Sequence, residues 1–473
     1  MGIIPFPAEE DKEVKEETWK RYLISSRYLC IYQKENFTKV IDKETWNEVE
    51  ISSDLFNILK KCDGRLHKFY PEELEIINIL IKQGIVTYAD EVSKDFNQHQ
   101  IKESKDILPR PIEGAIAHVT GRCNLNCKHC YFSPHRTSEE LSTEEWKKVF
   151  EQLYEMGVYK VEITGGEPLI RKDIIQICET LKEYEFLTTI ITNATLLDEH
   201  FLENLVDSGV SAFGVSLDCA TPKTFTDFRG EDYFFKVINN LKMIRDYRDS
   251  GKLSYFCVST MLTRKTAKEL FDLYQILKSE IKPDTWVIER PYASGNYKKY
   301  IAEYDLPVVE SAPILHKLLL QIRRDKPNFP YRIHLDKYYT YLNPERYSHI
   351  DFSKVYSPYT VEDWACGRHF QHLYILPNGD IVWCDYKEVC PNPIGNVRNE
   401  SISEIWRKSE EIKKGMKLKN FVCKNCKYVR YCGGGCRFIP ITRGEGIQGC
   451  DRDFRYYIEY GIKKGLYENG KNF

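Results

Sequence analysis

What the chain lacks narrows its function first. It has no excess of charge of either sign: 68 Lys plus Arg stand against 70 Asp plus Glu over 473 residues, a formal net charge of -2. Without a global basic field, nothing holds nucleic acid or an anionic membrane by charge alone. A bilayer-length apolar run is also missing; the most apolar stretch near the start, Ile76–Ile85, is interrupted by Lys82 and Gln83. The opening residues, MGIIPFPAEEDKE, turn acidic at once and carry no basic segment leading into an apolar one. Gly2 is followed by Phe6, where a myristoylation signal has Ser or Thr. Neither a nucleic-acid nor a membrane partner is expected, and the chain reads as cytoplasmic. No repeat of fixed period stands out.

What the chain has in abundance is cysteine, 16 in all. In a long chain without a secretion signal this points to metal before disulfides. Cys123, Cys127 and Cys130 form one cluster, and eight more lie between Cys366 and Cys450. Cys30, Cys62, Cys178, Cys219 and Cys257 are scattered among apolar neighbours and read as small buried hydrophobes.

The length predicts two or three domains. Up to residue 92 the pattern is short strands followed by helices, resembling a small winged helix. Its expected sheet is Tyr22–Tyr32 and Lys39–Ile51, parted by a turn at Lys34–Phe37. A helix starting at Ser53 and Asp54 runs through Leu59 and ends near Gly64, and a second helix, opened by Pro71, closes at Gly84. Ile85–Tyr88 reads as a strand, and residues 93–112 as a polar linker.

From residue 113 to 300 the pattern is β-α-β-α. Strands are expected at Ala115–Thr120, Val161–Thr164, Thr188–Thr192, Phe213–Leu217, Tyr255–Thr260 and Trp286–Glu289. Ser142 with Glu145 makes a capping box before the helix that buries Trp146, Val149, Phe150 and Leu153. Six strands alternating with helices imply an α/β fold with a parallel sheet and right-handed crossovers, whose ligands sit at the strands' carboxyl ends. Residues 301–363 read as a bridge and 364–473 as a cysteine-rich domain.

The first cluster, Cys123-Asn-Leu-Asn-Cys127-Lys-His-Cys130, follows the first of these strands. Three thiolates on a short loop suit a cubane cluster with one open iron. A zinc site would add His129 or His135 as a fourth ligand. The spacing resembles the radical S-adenosylmethionine (SAM) superfamily. The resemblance implies a partial (β/α)6 barrel, with SAM on the open iron cleaved to a 5′-deoxyadenosyl radical; Cys123, Cys127 and Cys130 are then the catalytic cluster ligands. By the same resemblance, Gly165, Gly166 and Glu167 of the Thr164–Pro168 segment face the methionine amino group. Asn193, Ser216 and Asp218 face the ribose or the SAM carboxylate. A plain strand-end turn or helix cap is the alternative for each. Arg229 and Arg264 are weaker carboxylate anchors, with surface salt bridges as their ordinary role.

The later cysteines run Cys366-x12-Gly379-x4-Cys384, then Cys423-x2-Cys426-x5-Cys432-x3-Cys436, then Cys450. This order resembles the SPASM extension of radical SAM peptide modifiers. It implies two auxiliary 4Fe-4S clusters, three clusters in all. Cys366, Cys384 and Cys436 would hold one, with Cys390 as a possible fourth ligand or an open iron in its place. Cys423, Cys426, Cys432 and Cys450 would hold the other. Zinc knuckles are the alternative. The first 110 residues carry 17 Lys plus Arg against 21 Asp plus Glu, which opposes phosphate binding by the N-terminal module. Fused to such an enzyme, the module resembles the leader-peptide recognition element of ribosomal-peptide maturases, where a leader adds a strand to the sheet edge; the helix from Asp54 to Cys62 would line the groove. The whole then resembles a thioether-forming maturase, served by a low-potential electron donor such as ferredoxin or flavodoxin. Carbon–carbon cross-linking, a sulfatase-maturating oxidase and a zinc-binding regulator remain as alternatives.

Overall fold

A computed structural model describes residues 18–35, 37–44, 47–89, 100–108, 112–132, 139–325, 332–335 and 372–414, and parts of 422–464. The N-terminal module comprises β1 (Thr18–Ile24), β2 (Tyr28–Gln33), β3 (Phe37–Asp42), β4 (Glu48–Glu50), α1 (Ser53–Lys60), β5 (Asp63–Phe69), α2 (Pro71–Lys82) and β6 (Val86–Tyr88). β7 (Ile101–Glu103) follows. Two sheets form here, in the orders β5-β1-β6 and β4-β3-β2-β7.

This corrects the expected single sheet. The segment Tyr22–Tyr32 breaks at Ser25, whose carbonyl accepts from Tyr28 N at 2.9 Å, so its halves serve different sheets. The segment Lys39–Ile51 likewise divides into β3 and β4, which pair antiparallel. The expected linker supplies β7, which pairs in parallel with β2. Ser52 caps α1, its side chain accepting from Leu55 N at 3.2 Å.

The module's β2-β3-β4 face is fastened to the amino ends of the central strands. Leu29, Ile31 and Ile41 pack on Tyr159 and Leu187. Lys39 pairs with Glu48 at 3.1 Å and Glu113 at 2.8 Å, Glu48 also pairs with Lys160, and Lys43 meets Glu185 at 2.7 Å. Gln33, 1% exposed, accepts from Ile112 N at 2.9 Å and donates to the carbonyls of Ile112 and Gly157.

The central unit runs β8 (Gly114–Thr120), α3 (Thr143–Glu155), β9 (Lys160–Gly165), α4 (Ile174–Glu183), β10 (Leu187–Thr192), α5 (Glu199–Asp207), β11 (Val210–Ser216), α6 (Pro222–Arg229), α7 (Phe234–Asp249), β12 (Tyr255–Met261), α8 (Leu270–Ile276) and β13 (Thr285–Glu289). All six expected strands are present, parallel and in sequential order. Sequential parallel strands joined by right-handed crossovers put every helix on one face, which curves the sheet into a partial barrel. The capping box forms as expected, with Glu145 N donating to Ser142 Oγ at 3.2 Å and Ser142 N to Glu145 at 2.8 Å.

The sheet continues beyond the six. After α9 (Ile301–Tyr304) and α10 (Val308–Asp325), β14 (Arg332–Leu335) adds in parallel to β13. On the other edge β15 (His372–Ile375) adds in parallel to β8, and β16 (Asp380–Val382) and β17 (Gly395–Asn396) extend it antiparallel. Gly379 turns the chain between β15 and β16 at φ +87°, where a Cβ would meet Val397 at 2.9 Å. The cysteine-rich domain is thus built onto the central sheet and shares its core, which reaches Trp406, Phe438 and Tyr457. α11 (Ile402–Lys414), α12 (Phe438–Thr442) and α13 (Arg452–Lys463) complete it. Among the described residues, no helix is long and apolar enough to cross a membrane.

Candidate functional site

The loop carrying the first cysteines leaves the carboxyl end of β8 and is anchored at both ends. Glu140 accepts from Thr120 Oγ1 at 2.6 Å and Gly121 N at 3.0 Å. Asn296 N donates to Cys130 O at 2.9 Å, and its side chain donates to Asn126 Oδ1 at 3.0 Å and Cys127 O at 3.4 Å. Cys123, Cys127 and Cys130 are all half-buried. Burial pushes the Cys127 thiol up to about 12; Arg229 opposes this, and neighbouring Cys130 and Cys123 add to it. Among the described residues, no three Cys, His, Asp or Glu side chains converge on a point where one ion would sit. Three half-buried thiols on one short loop are the donor set that a cubane cluster with one open iron takes. His129 is drawn aside: its ring stacks on Phe228 at 4.3 Å, and burial lowers its pKa to about 4. His135 lies outside the described residues.

The next strand end grips this loop through its glycines. Gly166 N donates to Thr120 O at 2.8 Å and Glu167 N to Arg122 O at 2.9 Å. A Cβ on Gly165 would lie 2.3 Å from Thr120 O, and one on Gly166 2.1 Å from Arg122 O. Only glycine allows that approach. Glu167 is 1% exposed and accepts from Thr192 Oγ1 at 2.7 Å, Asn193 N at 2.8 Å and Leu169 N at 3.2 Å. Burial outweighs these bonds and raises its pKa to about 7. Asn193 donates to Asn124 Oδ1 at 3.0 Å, and Thr195 Oγ1 accepts from Asn124 at 2.7 Å, so the third strand end also holds the cysteine loop.

Ser216 ends β11 half-buried. Asp218, 1% exposed, is engaged through both oxygens: Arg229 donates to one at 2.5 and 2.8 Å, and Met261 N to the other at 2.8 Å. Arg229 is itself 3% exposed. The surface-salt-bridge role expected for Arg229 is therefore corrected: this is a buried pair beneath Cys127. Arg264 does form an exposed bridge, to Glu310.

Of the later cysteines, Cys366, Cys423 and Cys432 lie outside the described residues. Cys384, Cys390 and Cys436 are buried. The Cys390 thiol rests against the backbone amides of Trp383 and Cys384, and Cys436 N donates to Asp451 at 2.9 Å. Cys426 and Cys450 both act on the charge of Arg455 and so share its neighbourhood.

The residues that join the two cysteine regions were not anticipated. Tyr131, directly after Cys130, donates to Asp385 Oδ2 at 2.8 Å, and its ring lies 5.0 Å from that of Tyr386. Asp385 and Tyr386 directly follow Cys384. Adjacency to the cysteines was the available signal; the pairing across 254 positions had none.

Residues 118–274 match the profile of the radical SAM superfamily, and residues 366–427 match the SPASM iron-sulfur cluster-binding domain. The Fe-coproporphyrin III synthase of Methanosarcina barkeri is 28% identical over 76% of this chain and 89% of its own. A PqqA peptide cyclase of Rhizobium meliloti is 25% identical over 71% and 85%. In fold, the chain resembles Streptococcus suis SuiB bound to precursor peptide SuiA, with TM-score 0.65 and 18% identity over 91% of this chain and 98% of that one. Native anSMEcpe with bound AdoMet and Cp18Cys peptide gives TM-score 0.57 and 18% identity over 75% and 97%. S-adenosylmethionine and iron–sulfur clusters are the cofactors these two domains imply. The chain thus carries a radical SAM domain followed by a SPASM iron–sulfur cluster-binding domain, the make-up of an enzyme.

Proposed function

We propose that the enzyme matures a ribosomally synthesised precursor peptide, installing a cross-link between a cysteine sulfur and a carbon of another residue. The observation that carries the reading is the spatial division of the chain. A separate acidic module is fastened to the amino ends of the central strands, and both cysteine regions meet at the opposite end. Such a division suits a long substrate held at one place and modified at another. SuiB, similar in fold, was solved with a precursor peptide.

In this reading Cys123, Cys127 and Cys130 hold the SAM-binding cluster. Cys366, Cys384 and Cys436, with Cys390, hold one auxiliary 4Fe-4S cluster; Cys423, Cys426, Cys432 and Cys450 hold the other. Bound SAM supplies a 5′-deoxyadenosyl radical when the cluster is reduced. Gly165 and Gly166 keep the loop close to the second strand end, and Glu167 and Asn193 fix its position. Ser216 presents a polar group toward the SAM carboxylate or ribose, and the buried Asp218–Arg229 pair ties the end of β11 to β12 beside it. Closing a thioether would remove two hydrogens from the peptide, one by abstraction at carbon and one as the thiol proton, and the remaining electron would need an acceptor, chemistry that a cluster held by Cys366, Cys384 and Cys436 would supply. A ferredoxin or flavodoxin serves as the low-potential donor.

The test is anaerobic incubation of reconstituted enzyme with SAM, reductant and a cysteine-containing precursor encoded beside its gene. Loss of two hydrogens from the core peptide, with one cysteine blocked to alkylation, is expected. Oxidation of a lone cysteine or serine to an aldehyde would favour the sulfatase-maturating alternative, and a two-hydrogen loss with every cysteine still free would favour a carbon–carbon link.

A further inference from the structure

The two cysteine regions touch through a compact set of side chains rather than through solvent. Tyr131 donates to Asp385 at 2.8 Å. His118, 1% exposed, places Nε2 3.9 Å from the same carboxylate oxygen and stacks on Phe132 at 4.4 Å. Tyr386 lies 5.0 Å from Tyr131, 5.3 Å from Tyr292 and 5.1 Å from Phe438, and Tyr292 lies 4.9 Å from Phe438. Each end of this set is tied in sequence to a cysteine: Tyr131 to Cys130, Asp385 and Tyr386 to Cys384, and Phe438, two residues on, to Cys436.

We propose that Tyr131, Asp385 and Tyr386 form a positioning strut through which the cysteine-rich domain sets the seat of the SAM-cluster loop. Filling the auxiliary site at Cys384 and Cys436 then favours SAM binding at the other cluster. The inference rests on the radical SAM reading of the loop. A part-buried hydrogen bond to a carboxylate and a set of tilted and edge-on aromatic contacts are directional, so they fix the loop's last ligand as well as its neighbours. Coupling of this kind is reciprocal: whatever seats Tyr131 for SAM also favours the filled auxiliary site. Tyr131 acts here through Cys130 and is a positioning residue.

The test compares wild-type enzyme with Tyr131→Phe, Asp385→Ala, Asp385→Asn and the Tyr131→Phe/Asp385→Ala double variant, each reconstituted anaerobically. SAM affinity and the SAM-induced change in the electron paramagnetic resonance spectrum of the reduced cluster are read. Tyr131→Phe and Asp385→Ala should each weaken SAM binding roughly fivefold or more. The double variant should be no worse than the worse single one, because both remove one contact. Asp385→Asn keeps an acceptor oxygen and should recover part of the loss. Unchanged affinity and spectrum in both single variants, or losses that multiply in the double variant, would overturn the strut. A second arm needs no cluster: in cluster-free protein, Cys130 should alkylate faster in Tyr131→Phe than in wild type, at unchanged melting temperature. Equal rates would contradict the strut, whereas a wild-type protein that binds neither iron nor SAM would overturn the radical reading instead.

Discussion

A single methyl group at Gly166 would stand 2.1 Å from the Arg122 carbonyl, against backbone that has nowhere to go. Gly166→Ala should therefore cost about 1–3 kcal/mol of stability and loosen the cysteine loop; thermal unfolding and iron uptake would measure both. Glu167 gives a pH signature. Its folded pKa, about 7, lies above the ordinary carboxyl value of 4.5, so the folded state holds a proton that the unfolded state has released. Stability from this group is full below pH 4.5 and falls as pH rises toward 7. Unfolding titrations across that window should show a decline that Glu167→Gln abolishes. Asp218→Ala would leave Arg229 buried without its carboxylate, a loss of roughly 3–5 kcal/mol, readable by denaturant unfolding. The cysteines and the Thr164–Pro168 segment announced themselves by residue type. Asn124, Glu140 and Asn296 did not, because a polar residue gripping a loop leaves no pattern in sequence.

At the scale of elements, legibility followed periodicity. The six central strands are either buried along most of their length, as β8 and β10, or alternate in burial, as β9 and β12, and side-chain caps at Ser142, Asp198 and Thr221 mark where helices open between them, so all six were readable. β5 was missed because Arg65, His67 and Lys68 break any apolar alternation on a strand that is half solvated. The break at Ser25 was missed because Ser25-Ser26-Arg27 contains neither glycine nor proline to mark it. β7 and β17 are too short to carry a period. Gln33 offers an element-scale prediction. It ties β2 to the chain just before β8, and Gln33→Ala would leave Ile112 N–H buried without its acceptor. A loss of about 1–3 kcal/mol is expected, with faster hydrogen exchange at the Ile112 amide; retained protection there would show the module held by its apolar contacts alone.

For the whole molecule, the module's attachment changes how its role should be probed. Removing residues 1–92 would expose Tyr159 and Leu187, which are 0% and 3% exposed and packed on Leu29, Ile31 and Ile41. Truncation should thus lower the melting temperature whatever the module binds, and loss of activity on truncation carries no information about a leader. The proposed assembly of a SAM-binding cluster and two auxiliary clusters on one chain is read directly by iron and sulfide content after anaerobic reconstitution, with SAM cleavage under reductant. About twelve irons per chain, as three four-iron clusters require, are expected together with release of 5′-deoxyadenosine. Zinc in place of iron, with SAM left intact, would contradict it.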